Sequence, residues 1–217
     1  MSKSNEFGYI PEAPEQSFGN NKGIFNPKDI YDLTRAGKYT NLGQLELIET
    51  QTGSGVGAID FVDIKETEYD IHFLTIQNFS VATDGQTCAI RMRNAGSSSF
   101  VEAGNQWANQ TGRADSGTFS GNPSTSSTYI EIGRLLGNDT NATLGGFVYF
   151  YNLGDSSKYS MTSHYTSYGN EFSNEYMFNV GGGHNNVPTQ VDGIRLTTTG
   201  GNISVYETSL YGIKVYK

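Results

Sequence analysis

From residue 42 onward, apolar and polar positions alternate with a period of two, in short runs broken by turn-forming residues. Residues 87–93 (TCAIRMR) place Cys88, Ile90 and Met92 on one side and Arg91 and Arg93 on the other, as a strand with one face in a core would. Residues 68–79 (EYDIHFLTIQNF) separate Tyr69, Ile71, Phe73 and Thr75 from Asp70, His72, Leu74 and Ile76. The first set reads as the core face and the second as partly covered. Residues 146–153 (GFVYFYNL) are apolar on both sides, as in a central strand of a sandwich. Further strands are predicted at 44–50, 57–64, 104–109, 128–133, 159–166, 175–180, 193–199 and 203–216. Clusters such as GNPSTSS at 121–127 and GGGHNN at 181–186 read as turns. About ten short strands at intervals of roughly 8–14 residues, with no helix between them, predict an antiparallel β-sandwich, jelly-roll-like, rather than a parallel α/β sheet.

Residues 1–41 have a different texture. They hold Pro11, Pro14 and Pro27 and dispersed apolar residues, Phe7, Tyr9, Ile10, Phe18, Ile24 and Phe25. Too scattered to make a core of their own, these residues predict an extended arm whose anchors fill apolar pockets on a partner. One helix is expected within it. Asn26 can cap it, Pro27 suits its first position, Asp29 favours the positive end of the dipole and Gly37 can close it. Ile30 and Leu33 would form a short apolar stripe, and so short a helix must lean on something. The domains expected are therefore 1–41, an attachment arm, and 42–217, a sandwich.

Composition narrows the functional classes. The chain has 217 residues, 22 Asp plus Glu against 14 Lys plus Arg, and a formal charge of −8. Such a chain is repelled by phosphate backbones unless it segregates a basic face, and no basic cluster exceeds the Arg91 and Arg93 pair, which speaks against nucleic-acid binding. Apolar residues are only 35%, but 12% are aromatic, and aromatic rings bury large areas from few positions. The single cysteine, Cys88, cannot form an internal disulfide and reads as a buried structural thiol. No stretch approaches the roughly 20 apolar residues of a membrane span, so membrane insertion is not expected. The first 30 residues lack an apolar h-region. The chain is expected to act where it is made or to leave by another route, such as release of an assembled particle by lysis.

Candidate chemistry is sparse. The glycines of GSGVG at 53–57 precede strand-like AIDFVDI, whereas a phosphate loop must lead into a helix. His72 shares its strand face with Asp70 but has no third ligand at a telling spacing. His164 and His184 lack a nucleophile elbow or partner carboxylate. Glu66, Glu68 and Asp70 alternate as on a solvated edge, not as a glycosidase pair. Turns at Asp84–Gly85 and Gly137–Asn138–Asp139 could hold calcium, although neither is an EF-hand loop. No catalytic residue and no cofactor is expected. Sugar binding is the most serious candidate. Trp107 is flanked by Asn105, Gln106, Asn109 and Gln110, while Tyr159, Tyr165 and Tyr168 lie in a polar segment. Rings of this kind stack on apolar sugar faces while amides fix hydroxyls. The alternative is that Trp107 belongs to the core and the tyrosines cover the rim. The sequons at Asn78, Asn109, Asn138, Asn141 and Asn202 read as accidents of an Asn/Ser/Thr-rich composition.

Four stretches carry a family likeness: GYIPEAPEQSFGNNKGIFNPKDIYDL, LGQLELIETQTGSG followed by AIDFVDIKETEYDIHFLTIQN, GFVYFYNLGDSSKYS, and GIRLTTTGGNISVYETSLYGIKVYK. Together they resemble virion structural proteins of marine tailed bacteriophages, notably those infecting cyanobacteria. The resemblance implies a non-enzymatic particle component, a short N-terminal segment before one β-sandwich, in a tail fibre or appendage that contacts the host. A capsid decoration or cement protein, or a module recognising host surface glycans, is the alternative. It implies contacts with other virion proteins through the arm, a homo-oligomer with a trimer favoured, and a location in the virion, assembled in the host cytoplasm. Trp107, Tyr165 and Tyr168 would be the glycan contacts.

Overall fold

The computed structural model describes residues 16–17, 20–21, 27–35, 45–172 and 175–214. The chain divides into two units, Met1–Gly43 and Gln44–Lys217. In the first unit, strands β1 (Gln16–Ser17) and β2 (Asn20–Asn21) pair antiparallel. Helix α1 (Pro27–Arg35) begins on the predicted proline, whose missing N–H costs nothing at that position. Lys28 and Asp32, one helical turn apart, form an exposed ion pair. The anchors Phe7, Tyr9, Ile10, Phe18, Ile24 and Phe25, with the expected caps Asn26 and Gly37, lie outside the described residues.

The second unit contains strands β3 (Leu45–Gly53), β4 (Ala58–Phe61), β5 (Ile71–Val81), β6 (Gln86–Asn94), β7 (Asn105–Arg113), β8 (Phe119–Ser127) and β9 (Ile130–Leu136). They are followed by β10 (Leu144–Tyr151), β11 (Met161–Gly169), β12 (Tyr176–His184), β13 (Val191–Thr198) and β14 (Ile203–Ile213). An eight-stranded antiparallel sheet runs β3-β14-β5-β10-β11-β12-β7-β8, and a four-stranded one runs β4-β13-β6-β9. Setting aside β7, β8, β11 and β12 leaves β3-β14-β5-β10 and β4-β13-β6-β9, which, with these eight strands counted one to eight along the chain, are the orders 1-8-3-6 and 2-7-4-5. Those are the two interlocked Greek keys of a jelly roll. The two remaining hairpins, β7–β8 and β11–β12, extend the long sheet beyond β10, and β9 packs across β11, β12 and β7.

Between the sheets lies an apolar core. Ile59, Phe61, Leu74, Phe79, Ile90, Met92, Val148, Phe150, Ile194, Leu196 and Leu210 are all buried within it. Cys88 belongs to the same cluster, and burial pushes its thiol far above the ordinary range, as expected of a structural cysteine.

Three local expectations are overturned. In β5 the buried set is His72, Leu74 and Ile76, while Ile71 and Phe73 point outward and are only half-buried. His72 tolerates this position because its Nε2 donates to the Ile64 carbonyl at 2.7 Å. The segment GNPSTSS is not a turn but part of β8, where Pro123 is accommodated because β8 is an edge strand with one unpaired side. Gly181–His184 likewise continues β12. A Cβ at Gly181 would lie 2.4 Å from the Ala108 carbonyl oxygen, and one at Gly183 would lie 2.5 Å from that of Gln106. These glycines let β7 and β12 approach closely.

Candidate functional site

The register of the long sheet lines up aromatic residues across its outer face. Phe73 on β5 stands opposite Tyr149 on β10 and Tyr211 on β14, with ring centroids 4.6 and 6.3 Å away. Phe147 stands opposite Tyr165 on β11, 6.2 Å between rings. Tyr165 stacks with Phe178 of β12 at 6.1 Å, and Phe178 meets Phe119 of β8 at 5.9 Å. Strand β7 lies between those last two, and there Gly112 stands opposite both Phe178 and Phe119. A Cβ on Gly112 would come within 2.2 Å of the Phe178 ring, so the ring lies flat over the glycine. The row thus crosses the sheet from β14 to β8 without a break. Centroid spacings of this size are those of favourable aromatic pairs.

This face is open. Phe119 is 65% exposed, Tyr176 50%, Met161 43%, Val180 39%, Tyr165 38% and Phe147 37%. At about 200 Å² per large side chain, these six leave roughly 500 Å² of surface uncovered, toward the upper end of what a solitary domain shows. From β5 through β8 the outward positions are otherwise Ser, Thr, Gly, Ala, Pro, Gln, Asn and Ile. Among the described residues, no Asp, Glu, Lys or Arg points outward from these strands. The Tyr165 and Tyr176 hydroxyls hydrogen-bond each other at 3.0 Å, and His184 stands at the margin beside Tyr159, ring centroids 5.1 Å apart.

The outer face of the short sheet is built differently. Arg195 donates twice to Asp60, at 2.6 and 2.7 Å, Arg93 to Asp192 at 2.6 Å and Arg91 to Glu102 at 2.7 Å. The Arg195 guanidinium also lies 4.2 Å from the centroid of the Phe100 ring. Charges here are matched within the domain and leave that face solvated.

Beneath the extension, the inner side of the long sheet is polar. His164 Nε2 donates to Asn179 Oδ1 at 2.7 Å, and Asn179 Nδ2 donates to Thr111 Oγ1 at 3.2 Å. Asn109 Nδ2 donates to the Glu131 carbonyl at 2.7 Å, and Thr166 donates to that of Ile132. Burial lowers the His164 pKa and raises that of Glu131, which the Arg134 charge and hydrogen bonds from Asn109 and Asn179 partly offset. The network fastens β9 to β7 and β11.

The structure separates the three residues singled out for sugar contact. Tyr165 stands on the open outer face. Trp107 and Tyr168 are on the inner side: Trp107 packs against the core with its indole Nε1 buried. Tyr168 is 3% exposed, and its hydroxyl accepts from the Arg134 N–H at 3.1 Å. Trp107 and Tyr168 therefore cannot share a ligand with Tyr165. The chain matches no protein-family model, and no curated protein or solved structure is found to match it. Among the described residues no group of three or more His, Cys, Asp or Glu is placed to hold a metal ion, and no helix is long and apolar enough to cross a membrane. The two turns considered for calcium are tied together, the Asn138 N–H donating to Asp84 Oδ1 at 3.1 Å. A cleft of about 860 Å³ opens at the Ile71 and Tyr151 end of the long sheet, lined by Glu66, Glu68, Tyr69, Asp70, Asn152 and Asp155 among others.

The outer aromatic face is not among the features expected from the sequence. Its signal was the recurrence of large rings at alternate positions, as in Phe147, Tyr149 and Tyr151, on strands whose other side was already apolar.

Proposed function

We propose that the chain is a non-enzymatic structural subunit of a bacteriophage particle, its N-terminal segment attaching it and its jelly roll building or decorating the exterior, in a tail appendage that contacts the host. The observation that carries this reading is the broad, uncharged aromatic face on a jelly-roll domain. Patches of this size mark surfaces that meet other macromolecules, and jelly rolls recur as building blocks of viral shells. The likeness of the four sequence stretches to virion proteins of marine phages points the same way. Purified particles should contain the chain in stoichiometric amounts, and deletion of residues 2–25 should leave a folded sandwich that no longer enters them. Particles that lack the chain would refute the reading, and incorporation of the truncated form would remove the role given to the arm.

A second reading, recognition of a host surface glycan by the same domain, is supported by the cleft. There Tyr151 continues the aromatic face, stacked on Tyr149 at 6.3 Å, beside carboxylates and the Asn152 amide that can accept and donate to sugar hydroxyls. Binding to an array of neutral glycans, lost on Tyr151→Ala, supports it; a silent array leaves the domain purely architectural.

A further inference from the structure

We infer that a second copy of this chain docks face to face on the outer surface of β10, β11 and β12, an inference that rests on the reading of the chain as an assembling subunit. Three observations select this occupant. The first is size. Six strands, β5 to β8 in sheet order, at about 4.8 Å spacing and about nine residues each, project roughly 900 Å², against the about 800 Å² per partner of a specific interface.

The second is charge. The chain carries a net −8, so two copies repel over most orientations. They come into contact at least cost where neither presents a charge, and this face presents none among its described residues. A basic partner would instead be drawn to the acidic remainder of the surface.

The third is relief. On the same face, the Phe147 and Tyr165 rings stand beside Ser163, Ser167 and Gly182, so knobs and hollows alternate within one patch. A patch that complements itself meets its own copy across a two-fold axis. Such a pair is two-fold, whereas the likeness to virion proteins favours a trimer. Sheets packed in this way lie about 10 Å apart with their side chains interdigitated.

Sedimentation velocity on the full chain over a concentration series tests this. The wild type should pair, and Phe147→Lys with Tyr165→Lys should weaken pairing by about 100-fold or more, because the lysines lose water without gaining a partner. Arg91→Ser, on the opposite face, should pair like the wild type. Circular dichroism confirms that each variant keeps its β signal. Should the lysine variant unfold, Tyr165→Ser with Val180→Ser removes apolar contact without adding charge and should still weaken pairing by about 10-fold. A wild type that stays monomeric at about 100 μM, or a dimer indifferent to these substitutions, overturns the inference. A chain present in particles yet monomeric in solution would refute the pairing alone. A pairing chain absent from particles would refute the assignment to the virion alone.

Discussion

The two outer faces of this sandwich belong to one domain and present opposite surfaces. On the short sheet, Arg195, Arg93 and Arg91 are each matched by Asp60, Asp192 and Glu102, and the paired charges keep that side in water. On the long sheet, a row of rings from Tyr211 to Phe119 lies open with no charge among them. Behind the rings of β5 and β10 lies the apolar core, and behind those of β11 and β12 lies the polar network, yet the row continues across both. The contrast is what the proposed pairing accounts for: a second copy would cover the aromatic face and leave the charged one in water.

Strand β10 allows the sharpest division, because Phe147 and Phe150 lie on its two sides. Phe150→Ala should destabilise the dilute, monomeric domain by about 3–5 kcal/mol, since it empties a fully enclosed site. Phe147→Ala should cost about 1 kcal/mol or less under the same conditions, and its main effect should be on association. Urea denaturation at low protein concentration measures both. Equal costs would mean that the outer rings serve the fold.

A smaller effect is expected at Gly112. Valine there must displace the Phe178 ring that lies on it, at a cost of about 1–3 kcal/mol, and the break in the row should also weaken association. Phe178→Ala with Gly112→Val should recover part of the stability but not the association.

Acidification probes the polar interior beneath the extension. The folded-state pKa of His164 is lowered from its ordinary 6.5 by burial, as is that of His72. Below about pH 6.5 the unfolded chain therefore binds protons that the folded one does not, and stability falls as pH drops. Glu131, whose pKa is raised from 4.5, acts with the opposite sign and gains stability as pH falls toward that value. The melting temperature should decline between pH 7.5 and 5.5, and His164→Gln should flatten the decline in part, leaving the share of His72. A pH-independent melting temperature would contradict the assigned burial. The smallest effect belongs to the charged face. Asp60→Asn should cost about 1 kcal/mol or less, because the pair is partly exposed and screened, with association unchanged.

Much of the fold was legible because period-two patterning is direct evidence of strands; β6, β10 and β13 announce themselves. The second half of β12 and all of β8 did not, because Gly, Ser, Thr, Asn and Pro signal turns unless a close neighbouring strand or a sheet edge makes use of them. Phe73 was assigned to the core for a physical reason: an outward face lined with aromatic rings has the composition of an inward one, and only the partner sheet tells them apart. Of the sugar-contact candidates, Tyr165 and Tyr168 are an odd number of positions apart, so one strand must point them to opposite sides. That much was readable. The side taken by Trp107 depends on how β7 registers with β12, which no local pattern in residues 104–109 specifies.

The most direct test uses the chemistry of a lone buried thiol. Cys88 is inaccessible, so a cysteine placed at Ser163 on the aromatic face, or at Thr87 on the charged face, is the single reactive site. A bismaleimide long enough to bridge sheets about 10 Å apart should join two copies of Ser163→Cys at micromolar concentration and leave Thr87→Cys monomeric. Joining at position 87 but not 163, or at neither, would contradict the account.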